Sequence, residues 1–188
     1  MTDDPKKHWK VLSSESVFKN KWIKLRRDCV KLPSGVVIKD FIVSELPDVS
    51  QIFAVTKDYH VIFVKQYRHA IGKVVLELPA GTLDKKRENP LEAARRELLE
   101  ETGYKANKII SLGAIQGFPT KDTYKINLYL ALDVEFKETT FQDKTEDIEV
   151  IKVPISKCLD LIESREIVVA GTIVGIVYAM NYLKNKSH

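Results

Sequence analysis

A chain of 188 residues, 44% apolar and 30% charged, has the size and composition of one compact soluble domain with at most a small appendage. Its formal net charge is only +4 and its lysines and arginines are spread along the chain, which argues against generic nucleic-acid binding but suits a small anionic substrate. Cys29 and Cys158 stand far apart without CxxC or Cys/His spacing, so neither a disulfide framework nor a zinc site is expected. The opening MTDDPKKHWK lacks an apolar signal core, and the longest apolar-rich segment, residues 171–183, falls short of the ~20 residues a membrane-spanning helix needs. A cytoplasmic protein with no membrane partner is the expectation.

Residues 1–8 are polar and expected to fray. Residues 9–44 read as strands separated by turns: Trp22, Leu25 and Val30 lie in a β-rich run, and Pro33-Ser34-Gly35 signals a turn ahead of residues 36–43. Residues 45–50, with Pro47 inside, read as a linker. The expected division is therefore a small antiparallel sheet at 1–46 and a main domain at 47–188. Such a sheet is marginal alone and wants a partner surface.

In the main domain, β-branched runs at 52–55 and 61–66 are joined by the hairpin signal Lys57-Asp58-Tyr59-His60. A further strand at 74–78 ends at Pro79-Ala80-Gly81, and a helix follows. Strands at 109–115 and 124–134 then flank a loop at 116–123. The long polar stretch 136–147 is a candidate functional loop. A strand at 148–153, a helix from about 156 to 164 and a helix at 170–183 complete the chain, with Gly171 and Gly175 permitting close packing of the last. The sum is a mixed α+β fold.

The helix before Gly103 is well bounded. Asn89 caps it, Pro90 suits its first position, Glu92 completes a capping box, and Gly103 ends it. Leu91, Ala94 and Leu98 share a face that should pack on the sheet. Glu97, Glu100 and Glu101 gather on a neighbouring face, where like charges repel and the C-terminal dipole disfavours anions. Two readings stand: a solvated acidic face paired with Arg95 and Arg96, or a site where a bound cation reverses the sign of that repulsion. Mg²⁺ takes oxygen ligands, typically carboxylates together with substrate phosphates.

Gly81, Glu88 and the run Arg96-Glu97-Leu98-Leu99-Glu100-Glu101-Thr102-Gly103 together resemble the Nudix box. Six residues separate Gly81 from Glu88, one more than the family pattern carries, and the extra residue is expected as an insertion in the Lys85-Lys86-Arg87 turn. The resemblance implies an α/β/α sandwich with a mixed sheet and a Mg²⁺-dependent hydrolase, with Mn²⁺ as a substitute ion. It implies Glu97 and Glu101 as leading metal ligands with Glu100 assisting, the Ala80 carbonyl as a further ligand, and Arg96 orienting the glutamates.

The runs Gln66-Tyr67-Arg68-His69-Ala70 and Glu77-Leu78-Pro79-Ala80-Gly81 look like the ADP-ribose and nucleoside-diphosphate-sugar pyrophosphatase branch. That likeness implies Arg68 and Glu77 beside the diphosphate and ribose; on their own they read as a surface arginine and an edge-strand carboxylate. Pro119, sixteen residues beyond Gly103, stands where the branch carries a substrate-loop proline, here in the order Gly117-Phe118-Pro119. The run from Asp143 to Val150 is similar to the family's acidic loop, which supplies a catalytic or metal-binding glutamate. Glu146 aligns best, and because Lys144 stands where some relatives have an acid, the general base is Glu146 first, then Asp143 or a box glutamate such as Glu100.

The branch forms homodimers through an exchanged N-terminal sheet. Trp22, with Phe18 behind it, is the candidate to stack on the base, the other reading being an aromatic buried in the small sheet. The implied reaction is hydrolysis of the pyrophosphate bond of a nucleoside diphosphate sugar, ADP-ribose giving AMP and ribose 5-phosphate, with sugars such as GDP-mannose also in range. The rival readings are a Nudix hydrolase of another diphosphate (a dinucleoside polyphosphate, a nucleoside triphosphate or coenzyme A) and a non-catalytic Nudix-fold binding module.

Overall fold

The β-rich N-terminal run folds into three antiparallel strands in a computed structural model, which describes residues 3–137 and 147–186. These are β1 (Lys10–Lys19), β2 (Lys24–Lys31) and β3 (Val37–Glu45), hydrogen-bonded in that order. Asn20 shapes the first connection, its Oδ1 accepting from the backbone N–H groups of Trp22 (2.8 Å) and Ile23 (2.9 Å). The second turn falls on the expected Pro33-Ser34-Gly35, where Gly35 takes a φ of +90° that disfavours a side chain.

Residues 116–124 belong to this same compact unit: Ser44 N–H donates to the Lys121 carbonyl (2.8 Å), and Thr123 N–H donates to the Ser44 carbonyl (3.1 Å). Buried Asp28 accepts from Ser14 Oγ (2.6 Å) and Arg26 Nε (3.0 Å), and Arg26 reaches on to Glu45 (2.7 Å). Every residue of β1 is exposed, Val11, Leu12, Val17 and Phe18 among them. An edge strand that exposes apolar side chains is ready to pair or to be covered.

The second unit comprises Asp48–Ile115 and Lys125–His188. Its strands are β4 (Val49–Thr56), β5 (His60–Arg68), β6 (Lys73–Glu77), β7 (Ala80–Thr82), β8 (Tyr104–Lys105), β9 (Lys108–Gln116), β10 (Lys125–Phe136) and β11 (Ile148–Pro154). They form one sheet in the order β11-β5-β4-β10-β8, with β6 on β5, β7 on β4 and β9 on β10. β4 runs parallel to β10 and antiparallel to β5 and β7, so the sheet is mixed. Three α-helices complete the unit among the described residues: α1 (Pro90–Thr102), α2 (Cys158–Glu163) and α3 (Ala170–Lys186).

Both faces of this sheet are covered, which explains the nearly continuous apolar run of β4. Ile52 and Ala54 pack with Ala94 and Leu98 of α1, whereas Phe53 and Val55 pack with Ile176 and Ala179 of α3. This alternation follows from the two-residue period of a strand, and it builds the helix–sheet–helix sandwich. Gly175 has no side chain because a Cβ there would lie 2.9 Å from Leu78 Cδ1 and 3.2 Å from Gln51 Oε1.

Some expectations shift by a few residues. Residues 49–51, placed in a linker or left unassigned, open β4, and residues 80–82 form the short strand β7 paired with them. A polar Ser-Gln pair next to a Pro-containing linker carries no strand periodicity; its pairing comes from β7 and β10. Leu91 does not pack on the sheet: it is 37% exposed, and Ala93 joins Ala94 and Leu98 inside. The buried stripe of α1 is thus rotated by part of a turn and continues through Glu101 and Thr102.

The helix boundaries are the capped ones expected. Asn89 Oδ1 accepts from the N–H groups of Leu91 and Glu92 (3.0 Å each), Glu92 Oε2 accepts from Asn89 N–H (2.9 Å), and Gly103 has a φ of +72°. Losing that cap by Asn89→Ala is expected to destabilise the protein by about 1 kcal/mol. In a chain of this length that is a fall in Tm of ~2–4 °C by thermal denaturation, with the native circular dichroism spectrum retained.

Candidate active site

The C-terminal half of α1 lies against β7, so backbone and carboxylates meet there. The Ala80 N–H donates to Glu101 Oε2 at 3.0 Å, fixing a carboxylate that is only 5% exposed. Next to it, a Cβ on Gly81 would fall 1.8 Å from Glu97 Oε1 and 2.5 Å from Oε2. The missing side chain of Gly81 is therefore the space the Glu97 carboxylate occupies.

Arg96 ties the other acids together. Its Nε and Nη2 bond Glu88 Oε2 (3.0 Å) and Oε1 (2.8 Å) as a two-pronged fork, and its Nη1 donates to Glu97 Oε1 and Glu100 Oε2 (2.8 Å each). Nη2 also reaches the Thr82 carbonyl at 3.3 Å. One guanidinium thus faces three carboxylates, with Glu101 as a fourth beside them, so the site is anionic and suits a cation. Hydrogen bonding to Glu88, opposed by burial and aided by Glu100 and Glu97, holds the Arg96 guanidinium firmly in its charged form. Arg95 takes a structural part, its Nη1 donating to the Ala106 carbonyl at 2.6 Å.

The extra residue after Gly81 is absorbed in a turn. The N–H groups of Arg87 (2.9 Å) and Glu88 (3.0 Å) both donate to the Asp84 carbonyl, and Lys86 N–H donates to Asp84 Oδ1 (3.0 Å). Glu88 still reaches Arg96, and that hydrogen bond holds its carboxyl below the usual glutamate range. A carboxyl depressed on folding binds fewer protons than the unfolded chain, so its stabilisation is complete above the unfolded pKa of about 4.3 and is lost as pH falls through the folded value. Glu88→Gln is expected to lower stability near neutrality by about 1 kcal/mol and to flatten the loss of stability below pH ~4. Denaturant titrations at several pH values check both parts.

The other residues marked by the sequence fall into separate groups. Arg68 Nε donates to Glu77 Oε2 at 2.7 Å, from the ends of β5 and β6, so these two are brought together, with Glu77 buried. Trp22 and Pro119 lie in the N-terminal unit. Trp22 is 67% exposed with Lys21 Nζ 4.4 Å from its ring centre, so it is not buried in the small sheet. Asp143, Lys144 and Glu146 lie outside the described residues.

Among the described residues, no three His, Cys, Asp or Glu side chains are gathered tightly enough to hold an ion as they stand. Glu97 and Glu100 are turned to Arg96 instead. The donor set nevertheless fits a hard divalent cation: it is all oxygen, it carries excess negative charge, and Gly81 leaves room for the Glu97 carboxylate. Sequence reading also passed over Ser50, whose hydroxyl is buried beneath this region without a hydrogen-bond partner among the described residues. A strand serine carries no motif, and only the β4–β7 register reveals its place.

Residues 47–167 match the family model of the NUDIX domain, and residues 9–43 match that of the nucleoside diphosphate sugar hydrolase N-terminal domain. The chain is 36% identical over 178 residues to an ADP-ribose pyrophosphatase of Bacillus subtilis, covering 94% of this chain and 93% of that protein. It is 32% identical over 173 residues to a methanol dehydrogenase activator of Bacillus methanolicus, covering 90% and 91%. A crystal structure of an ADP compounds hydrolase superposes with a TM-score of 0.82 over 95% of both chains at 22% identity, a likeness of fold.

Proposed function

The chain belongs to the Nudix family, and from that premise we propose that it hydrolyses the pyrophosphate bond of nucleoside diphosphate sugars. ADP-ribose, split to AMP and ribose 5-phosphate, is the leading substrate, and GDP-mannose is a further one. The observation that carries this reading is the joint made by β7 and α1, where Ala80 N–H holds Glu101 and the Glu97 carboxylate fills the side-chain space of Gly81. Relatives support the substrate class: besides the Bacillus subtilis pyrophosphatase, a GDP-mannose pyrophosphatase of Salmonella arizonae is 30% identical over 131 residues, covering 65% of each chain.

Nudix hydrolases generally use divalent metals; in this chain we assign Mg²⁺ to Glu97, Glu100, Glu101, the Ala80 carbonyl and Glu146. When bound, such an ion neutralises the diphosphate and favours formation of a nucleophilic water. Arg96 sets the directions of Glu97 and Glu100, and Glu88 anchors Arg96. Glu77 holds the Arg68 guanidinium by its Nε, so that its remaining N–H groups can meet diphosphate oxygens. Glu146 takes the proton of the attacking water, and Trp22 and Pro119 contact the nucleotide.

The exposed apolar residues of β1, Val11, Leu12, Val17 and Phe18, support a homodimer formed through the N-terminal sheet. No described helix is long and apolar enough to cross a membrane, and we assign the protein to the cytoplasm.

The test is a panel of nucleotide sugars assayed with Mg²⁺ and with Mn²⁺, products being identified by mass. Reaction in ¹⁸O-labelled water reports which phosphorus is attacked. ADP-ribose is expected to be cleaved fastest; failure to cleave any nucleotide sugar with either ion would falsify the assignment.

A further inference from the structure

We propose that the hydroxyl of Ser50 is a positioning group for the Glu97 carboxylate in the metal-loaded protein, a role that rests on the metal site assigned above. Ser50 is fully buried, and its Oγ has no hydrogen-bond partner among the described residues. An unpaired buried hydroxyl opposes folding, and alanine would fit the same space without that penalty.

Its direction follows from the strand. Ile52 and Ala54 of β4 pack against Ala94 and Leu98, so Ser50, two and four residues earlier, points to the α1 face. Its partner across the antiparallel β4–β7 pair is Gly81. Side chains of directly opposed residues lie on one face with Cβ positions about 4.5–5.5 Å apart. The position of the missing Gly81 side chain is where Glu97 sits, with Oε1 1.8 Å and Oε2 2.5 Å from an ideal Cβ. The hydroxyl and the carboxylate are therefore neighbours.

As described, Glu97 Oε1 accepts from Arg96 Nη1 at 2.8 Å. A guanidinium donor carries a charge that competes with a metal cation for the same carboxylate. A serine hydroxyl donates without charge and can hold one lone pair of a carboxylate while others meet the ion. Gln51, whose Oε1 is also buried without a partner among the described residues, lies on the opposite face beside Thr172 of α3. The two orphaned groups therefore have different surroundings, and only Ser50 adjoins the acids of α1.

The test measures Mn²⁺ binding to the substrate-free protein from the electron paramagnetic resonance signal of free Mn²⁺, for wild type, Ser50→Ala, Glu97→Gln and the double variant. Ser50→Ala is expected to weaken Mn²⁺ binding about tenfold, the scale of one hydrogen bond to a charged group. The metal-free Tm of that variant is expected to equal or exceed the wild-type value. In the Glu97→Gln background the same change is expected to have less than half that effect on affinity, since the two groups act as a pair. Unchanged Mn²⁺ affinity in Ser50→Ala overturns the proposal, with a raised Tm marking a plain packing defect and a lowered Tm a hydroxyl satisfied by internal water. A wild type that binds no Mn²⁺ removes the metal assignment itself and this role with it.

Discussion

Glu101→Gln is expected to lower kcat/KM for ADP-ribose by about a thousandfold, corresponding to ~4 kcal/mol of transition-state stabilisation, without unfolding the protein. The glutamine is nearly isosteric, and its carbonyl oxygen can still accept the Ala80 N–H that now meets Glu101 Oε2 at 3.0 Å. What disappears is one negative charge at a buried position in an already anionic cluster. The metal-free variant should thus be at least as stable as wild type, since like charges beside a helix C-terminus repel.

The two proteins should part company when metal is added. A ligand at a hundred times its Kd stabilises the native state by about 2.7 kcal/mol. For wild type that is a rise in Tm of ~5–10 °C, and for Glu101→Gln little or none is expected. Thermal denaturation with and without Mg²⁺ checks this independently of turnover. Wild-type activity together with a wild-type metal-induced shift in the variant would remove Glu101 from the metal site.

Gly81→Ala probes the same joint from the backbone side. The added Cβ would stand 1.8 Å from Glu97 Oε1 and 2.1 Å from its Cδ, so the carboxylate must move by more than an ångström. No positive φ is involved at Gly81, so the consequence is steric and falls on the end of one flexible side chain. The fold is expected to survive. Misplacing a catalytic group by about 1 Å typically costs on the order of a hundredfold, and that is the expected fall in kcat/KM, together with weaker metal binding. Metal titration by calorimetry and steady-state kinetics provide the check. An alanine variant with unaltered metal affinity would show that the position of the Glu97 carboxylate over Gly81 does not matter.

These two substitutions address neighbouring groups by different means, one by charge and one by space. Because both act on a single cluster, their effects should combine less than additively in the double variant. The milder changes at Asn89 and Glu88 separate helix stability and acid sensitivity from catalysis.

Much of this arrangement was legible in the chain. The α1 boundaries followed from Asn89, Pro90, Glu92 and Gly103, the hairpin turn from Pro33-Ser34-Gly35, and the clustering of Glu97, Glu100 and Glu101 from helical spacing. These features depend on residues within about four positions of one another, where backbone propensity and side-chain reach decide the outcome. The same range explains why Arg96 could be marked as partner of the box glutamates.

Other features required long-range closure of the sheet. Leu91, expected inside, lies partly exposed, because in the packed helix Ala93 and Glu101 take inward positions. The Arg68–Glu77 pair forms only when β5 and β6 adopt their register. The insertion before Glu88 proved harmless to the Arg96 fork because the Asp84 turn absorbs it, which the spacing alone left open.

The sequence by itself determined the family, the capped helix and the identity of the acids, since each is written in local pattern and spacing. The tertiary structure alone decided which carboxylate is buried, what occupies the space of Gly81, and that Ser50 stands beside it. Those depend on the β4–β7 register and the seating of α1, which bring residues 50, 81 and 97 together across distances no local pattern encodes.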